Sequence, residues 1–137
     1  MPVTHIVAKV LLVNPANKAL ILRRSASDSR RPLQGDIPGG WVEDDEDFKA
    51  AAVRETREEA GIQVDSANIR LVYTKSGMVN DENVCWLFFI GYTEATEVTL
   101  SAEHDKADWL SLDEAIAHIT YDIQRDFLTY VRDNNLL

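Results

Sequence analysis

Three glutamates, Glu55, Glu58 and Glu59, fall in a stretch without Gly or Pro that is rich in good helix formers. On a helix they stand at positions i, i+3 and i+4, so all three carboxylates project from one side. Like charges at this spacing cost about 0.2–0.5 kcal/mol per pair, so something should offset the repulsion. Carboxylate oxygens are ligands that Mg²⁺ or Mn²⁺ prefers, and a substrate phosphate can complete the coordination. Taken alone, the three glutamates favour a solvated acidic helix face over a metal site.

Residues near these glutamates favour the metal-site interpretation. Arg54 lies four residues before Glu58, so it can pair with that acid and orient it. Gly39 and Gly40 form a turn that lets the backbone, including a carbonyl, approach a metal ion closely.

The spacing of these residues closely resembles the Nudix box, G-x5-E-x7-R-E-U-x-E-E-x-G-U, in which U is a bulky apolar residue. The match spans residues 40–62, and every fixed Gly, Glu and Arg is present, with Thr56 at the first apolar position as the one departure. Residues 36–43, the opening hairpin and the segment from Ser101 to Trp109 also resemble family features. The resemblance implies that residues 1–137 form one domain, an α/β/α sandwich around a mixed β-sheet.

The resemblance also implies roles for individual residues. Glu55, Glu58 and Glu59 would bind Mg²⁺ or Mn²⁺ together with the carbonyl of Gly39, and Arg54 would orient an active-site glutamate. These residues would serve metal-dependent hydrolysis of a pyrophosphate bond in a nucleoside diphosphate linked to another group, by attack of water on phosphorus.

The general base stays open between Glu55 or Glu58 in the box and Glu103 in a later loop, where an exposed loop acid is an equal alternative. Glu46 is interpreted as structural, near the start of the helix. We interpret His104 as a surface or hydrogen-bonding residue.

The substrate is predicted by elimination. Residues 75–78 lack the Pro that often marks ADP-ribose hydrolases and the Tyr that often marks dinucleoside polyphosphate hydrolases. We therefore favour a nucleoside triphosphate pyrophosphatase, with hydrolysis of ADP-ribose, a dinucleoside polyphosphate or a nucleotide sugar as the alternatives. A Nudix module that binds a nucleotide without cutting it is the alternative of another class, although such proteins often lose box acids and this one keeps them.

Arginines before the box can grip phosphates bidentately, and the candidates are Arg23, Arg24 and Arg31, with Arg30 beside them. A solvated basic loop is the better explanation for any one of them, whereas for the group we favour at least one substrate contact. Trp41, Trp86 and Trp109 can stack on a base, but core packing explains the last two more simply.

Composition limits the partners. The chain has 14 Lys and Arg against 23 Asp and Glu, a net charge of -9, which argues against a duplex nucleic-acid binder but allows a small nucleotide-like substrate. It has no long apolar run or signal-peptide pattern, so we expect a cytoplasmic protein with no membrane partner. The single Cys85 allows no intramolecular disulfide. A homodimer stays open.

The rest of the pattern predicts the elements that must position these residues. Their order, strands, a helix, strands and helices, predicts an α+β or mixed-sheet sandwich. Strands are predicted over residues 4–13, 19–22, 69–75, 84–92 and 108–110. Helices are predicted over residues 47–60, from a capping box at Ser111 and Glu114 through about His118, and over residues 123–132. A loop is predicted over residues 25–36, a break at 38–40 and a helix stop at Gly61.

Overall fold

A mixed sheet forms the centre of the computed structural model, which describes residues 4–137. Its strand order is β3-β2-β1-β6-β5, while β4 pairs with β1 and β7 pairs with β2. β1 and β6 run parallel, and the other pairings are antiparallel. The strands are β1 (Thr4–Val13), β2 (Ala19–Arg24), β3 (Gly35–Asp36), β4 (Gly39–Trp41), β5 (Ile69–Val79), β6 (Glu82–Tyr92) and β7 (His104–Leu110).

Helices cover both faces of this sheet, which confirms the predicted α/β/α arrangement. Helix α1 (Phe48–Ala60) lies on one face, and α2 (Leu112–His118) and α3 (Asp122–Asp133) lie on the other. A short 3₁₀ turn, Ser66–Asn68, follows α1. Within residues 4–137, no helix has the length and apolar character needed to cross a membrane.

The two cores arise from alternation along the central strand β1, because successive side chains point to opposite faces of a sheet. One set packs beneath α1 and the other packs beneath α2 and α3, and both sets are almost fully buried. The α1 set includes Ala8, Val10 and Leu12, and the opposite set includes Val7, Leu11 and Val13.

The helix ends follow the predicted signals. The side chain of Asp47 caps α1 by accepting the N–H of Ala50 at 3.0 Å, and the capping box of Ser111 and Glu114 opens α2 as predicted. Gly61 ends α1 at φ 69°, and its N–H donates to the carbonyl of Arg57 at 2.9 Å. These bonds satisfy helix-end groups that would otherwise lack partners.

The predicted loop and break before α1 are partly wrong. Strands β1 and β2 pair only at Val13 and Ala19 and then diverge. Residues 35–36 add to β2 as β3, and residues 39–41 add to β1 as β4. These short strands fill the gap, because backbone groups inside a sheet need partners. Several predicted strands are also longer in the structure, most of all β5, which ends at Val79 instead of residue 75, and β7, which begins at His104 instead of residue 108.

A substitution at Gly61 tests this helix end. Gly61→Ala should lower the free energy of unfolding by about 1–2 kcal/mol, because a residue with a Cβ is strained at positive φ. The added Cβ would also lie 2.9 Å from the Cβ of Thr99. Denaturant unfolding measures the change. Gly77→Ala is the matched control, since an added Cβ there meets nothing within 4 Å. Equal stability of both variants would contradict the prediction.

Candidate active site

The three glutamates of α1 do share one side of the helix, but they differ in burial. The side chain of Glu58 is 51% exposed, that of Glu55 is 17% exposed and that of Glu59 is 6% exposed. The cluster therefore runs from solvent into the protein. Glu59 does not lie at the surface, because α1 turns that edge of its acidic side toward the sheet.

The glycine turn before α1 contacts two of these carboxylates. The N–H of Gly39 donates to Oε1 of Glu59 at 2.7 Å, and the carbonyl of Gly39 accepts from Nζ of Lys9 at 3.1 Å. A Cβ at Gly40 would lie 2.6 Å from the carboxyl carbon of Glu55. A side chain at position 40 would therefore displace the carboxylate of Glu55.

Arg54 organises the outer part of the cluster. Its guanidinium donates to both carboxylate oxygens of Glu46, at 2.7 and 3.0 Å, to Glu55 at 2.9 Å and to the carbonyl of Trp41 at 3.1 Å. The pairing of Arg54 with Glu58 that the sequence indicated is present at 3.3 Å. The hydrogen bond from Arg54 lowers the pKa of Glu46 to about 2. Glu46 thus fixes the arginine that in turn contacts Glu55 and Glu58.

Burial and mutual repulsion act on the inner carboxylates. Burial raises the pKa of Glu55, and the charges of Glu58 and Glu103 add to the rise. Burial raises the pKa of Glu59 to about 8, although the charge of Lys9 and the N–H of Gly39 oppose it. Burial therefore makes it costly to ionise both carboxylates unless a cation is bound beside them.

Glu103 lies close enough for its charge to act on Glu55. Its carbonyl accepts the N–H of Ser25 at 3.0 Å, and its own N–H donates to Oγ of Ser101 at 3.3 Å. No side chain in residues 4–137 donates a hydrogen bond to its carboxylate. The structure thus brings the later-loop acid into the same neighbourhood as the box glutamates.

A buried polar cluster lies beneath Glu59, and sequence reasoning missed it. Asp36, whose side chain is 1% exposed, bonds to Lys9, Arg24, His104 and Gln124. Although burial opposes ionisation, Lys9, His104 and Gln124 hold the pKa of Asp36 well below its usual range. His104 is not at the surface, since its side chain is 1% exposed, but it does form a hydrogen bond.

The predicted substrate arginines already have partners within the protein. Arg23 pairs with Asp105 at 2.8 Å, on the sheet face opposite α1. Arg24 pairs with Asp28 and Asp36, and its charge interacts with Glu59. The guanidinium of Arg31 lies 3.9 Å from the ring centroid of Tyr121. Of these three arginines, only Arg24 therefore lies near the acidic cluster formed by Glu55, Glu58 and Glu59.

Two of the tryptophans pack as predicted. Trp86 is buried in the core beneath α2 and α3, and Trp109 packs against the core beneath α1. Trp41 is 49% exposed, directly after Gly40, and its ring lies 4.3 Å from that of His5.

The donor set fits a divalent metal ion. Glu55, Glu58 and Glu59 offer carboxylate oxygens and Gly39 a carbonyl oxygen, which are hard ligands suited to Mg²⁺ or Mn²⁺. Burial raises the pKa values of Glu55 and Glu59, and a bound cation would favour the ionised form of each. Asp36 and His104 also have donor atoms within 4.8 Å of Glu59. Asp36 is excluded as a ligand, because its oxygens already accept four hydrogen bonds.

The family model for the NUDIX domain matches residues 3–131, which is most of the chain. The chain belongs to the Nudix family. It is thus a Nudix hydrolase, and enzymes of this family use divalent metal ions and act on small nucleotide-like substrates. The family assignment and the mixed-sheet fold predicted from residues 40–62 are both confirmed. No curated protein sequence matches the chain.

Solved structures of Nudix proteins share the fold. A MutT protein from Methanosarcina mazei is 28% identical with a TM-score of 0.85, covering 96% of this chain and 95% of its own. A C. elegans Ap4A hydrolase is 23% identical with a TM-score of 0.71, covering 95% and 98%. An E. coli dihydroneopterin triphosphate pyrophosphohydrolase is 19% identical with a TM-score of 0.77, covering 94% and 95%.

Stability should depend on pH through Glu59. Its folded pKa, about 8, exceeds the value of about 4.3 for an unfolded chain. The resulting stabilisation is complete below the unfolded pKa and is lost as pH rises through the folded pKa. In EDTA, the free energy of unfolding should therefore fall between pH 5 and pH 8, by on the order of 3 kcal/mol.

Denaturant unfolding across this pH range measures the fall. Glu59→Gln should flatten the profile because the amide does not titrate, whereas Glu94→Gln, an exposed change, should keep the wild-type slope. A wild-type stability that rises from pH 5 to pH 8 would contradict the assignment.

Proposed function

We propose that this Nudix hydrolase is a metal-dependent nucleoside triphosphate pyrophosphatase. The supporting observation is the convergence of Glu55, Glu58, Glu59 and Glu103 beside the Gly39–Gly40 turn. In the proposed reaction, water adds to a phosphorus atom and the phosphoanhydride bond breaks. A nucleoside monophosphate and pyrophosphate leave as products.

Each residue has a proposed task. Glu55, Glu58 and Glu59 would hold the metal ions, with the carbonyl of Gly39 as a further ligand. Bound divalent ions supply neutralisation of phosphate charge and acidify a coordinated water. Arg54 orients Glu55 and Glu58 through its contacts at 2.9 and 3.3 Å.

We favour Glu103 as the general base. A base must accept a proton, and both Glu55 and Glu58 already accept hydrogen bonds from the cationic Arg54. The carboxylate of Glu103 accepts none from the described side chains, so it is free to take a proton from water. It also lies in the electrostatic neighbourhood of Glu55.

We prefer a nucleoside triphosphate because residues 75–78 lack the Pro and the Tyr that often mark hydrolases of ADP-ribose and of dinucleoside polyphosphates. The names of two structural neighbours support this preference. One neighbour is named a MutT protein and another a triphosphate pyrophosphohydrolase. A third is named an Ap4A hydrolase, so a dinucleoside polyphosphate is the second candidate. Trp41 has an exposed ring next to Gly40 and could stack on a base. Arg23 and Arg31 add little support as substrate-binding residues, because both already have partners in the protein.

A substrate panel tests the proposal directly. The purified protein is incubated with Mg²⁺ or Mn²⁺ and nucleoside triphosphates, 8-oxo-dGTP, ADP-ribose, diadenosine polyphosphates or nucleotide sugars, and products are identified by mass. We expect pyrophosphate and a monophosphate from a triphosphate, with no release in EDTA. Preferential cleavage of another substrate would overturn the triphosphate assignment. Failure to cleave any substrate, with metal bound, would favour a binding module.

Two substitutions separate the metal ligands from the base. Glu58→Gln and Glu103→Gln should each lower kcat at least about 100-fold, within the range for loss of a catalytic acid or base. Only Glu58→Gln should also weaken Mn²⁺ binding, because it removes a ligand charge. Steady-state kinetics and Mn²⁺ titration measure the two effects.

Glu94→Gln is the matched control, since it removes an exposed carboxylate near Val13, the last residue of β1, away from the middle of β1 where β4 pairs. Wild-type turnover in Glu103→Gln would contradict its assignment as the base.

A further inference from the structure

Asp36 is a buried carboxylate that joins four elements of the fold. Its Oδ1 accepts hydrogen bonds from Nζ of Lys9 on β1 at 3.2 Å and from Nε2 of Gln124 on α3 at 2.8 Å. Its Oδ2 accepts from Nη1 of Arg24 on β2 at 3.1 Å and bonds Nε2 of His104 on β7 at 2.9 Å. These four bonds occupy the lone pairs of both oxygens. Asp36 is therefore a structural hub with no capacity left for substrate.

A β-bulge brings His104 to this hub. The pairing of β7 with β2 shifts register between Arg23 and Arg24, which leaves Asp105 without an opposite residue. Strict alternation from Ala107, which packs beneath α1, would place His104 on the other face of the sheet. The extra residue instead puts His104 on the α1 face, opposite Arg24. The bulge thus places the side chain of His104 on the face of the sheet that carries the candidate active site.

His104 contacts the innermost box glutamate with its second nitrogen. Because ionised Asp36 can only accept, Nε2 of His104 is the donor in their bond. Nδ1 then faces Oε2 of Glu59 at 3.7 Å, is buried and has no hydrogen-bond partner among residues 4–137. The other oxygen of Glu59 accepts the N–H of Gly39. The carboxyl group of Glu59 therefore lies between the glycine turn, which bonds it, and the imidazole, which packs behind it.

The same histidine restrains the loop acid. His104 follows Glu103 directly, so anchoring His104 to Asp36 restricts where the Glu103 backbone can lie. The N–H of Ser25 and Oγ of Ser101 hold that backbone from its other side. The hydrogen bond between His104 and Asp36 thus bears on two of the four proposed active-site carboxylates, Glu59 and Glu103.

We propose that His104, held by Asp36, is a positioning residue that places Glu103 beside Glu55 and fills the space behind Glu59. The proposal rests on the proposed function for the roles of these glutamates. Groups that orient metal ligands from behind typically change metal affinity or activity 10–100-fold when they are removed. The carboxylate–imidazole pair has this arrangement, because it lies behind Glu59 and outside the donor set.

Two amides of different length at position 104 test the proposal. In His104→Gln, the amide nitrogen can occupy the position of Nε2 and still donate to Asp36. In His104→Asn, the side chain is one methylene shorter and cannot reach. We expect His104→Gln to stay within about threefold of wild type. His104→Asn should lower kcat and Mn²⁺ affinity by about 10–100-fold, while KM changes less than kcat.

Free Mn²⁺ is followed by electron paramagnetic resonance, and thermal unfolding confirms that each variant is folded. Thr56→Val, which removes a buried hydroxyl bonded to the carbonyl of Ala52 on the same helix, controls for loss of a buried polar group. It should keep the wild-type Mn²⁺ affinity. Asp36→Asn is the second variant if His104→Asn does not fold, and it should reproduce the loss with His104 in place.

Three results would overturn the proposal. Wild-type kcat and Mn²⁺ affinity in folded His104→Asn would remove the positioning role. Equal losses in the Gln and Asn variants would show that the bond to Asp36 is irrelevant. Nitrogen hyperfine coupling to Mn²⁺ that disappears in His104→Gln would make His104 a ligand. If the wild type cleaves no substrate, the proposed function fails separately, and the Mn²⁺ affinities still decide the positioning role.

Discussion

The hydrogen bond from the Gly39 amide to buried Glu59 ties the glycine turn to α1, and the geometry of the site depends on it. The bond requires β4 to pair with β1, because that ladder places Gly39 opposite Lys9. It also requires α1 to lie on the sheet with Ala52 and Ala60 against the core, which leaves Glu59 at the buried edge of the acidic side. Packing therefore decides where the carboxyl group lies, and a short hydrogen bond from Gly39 then fixes its orientation.

This arrangement places several carboxylates close together, which lowers the free energy of unfolding. Packing elsewhere in the protein must offset that loss. One guanidinium, that of Arg54, contacts Glu46, Glu55 and Glu58, and Lys9 is shared between Asp36 and the turn. Burial raises the pKa values of Glu55 and Glu59, so it is costly to ionise them in the folded protein despite these cations. The two apolar cores on either side of the sheet supply stability independently of the site. A cation that binds the folded state would recover part of the electrostatic cost, because binding to the folded state alone adds to its stability.

Local signals predicted the elements that carry the chemistry, whereas longer-range features of the site were not predictable. Helix α1, its stop at Gly61 and the capping box of α2 follow from residues within a few positions of each helix end. The spacing of residues 40–62 was specific enough to identify the family. Periodicity placed three glutamates on one side of a helix, but it could not tell which of them the sheet would cover. The burial of Asp36 and His104 depends on a bulge and on the divergence of β1 and β2, and neither leaves a mark in the local sequence.

The partners of the arginines bear on how a polyanion would enter such an acidic protein. Arg24 and Arg54 lie at the cluster, but Asp28 and Asp36 engage the first, and glutamates engage the second. Little positive charge is then available to bind phosphates directly, in a chain whose net charge is -9. Under the proposed function, phosphate binding must rely on the metal ions that the glutamates hold, so metal and nucleotide binding would be coupled. The carboxylates would then determine that a phosphoanhydride binds, while exposed groups at the rim, such as Trp41, would act on the nucleoside it carries.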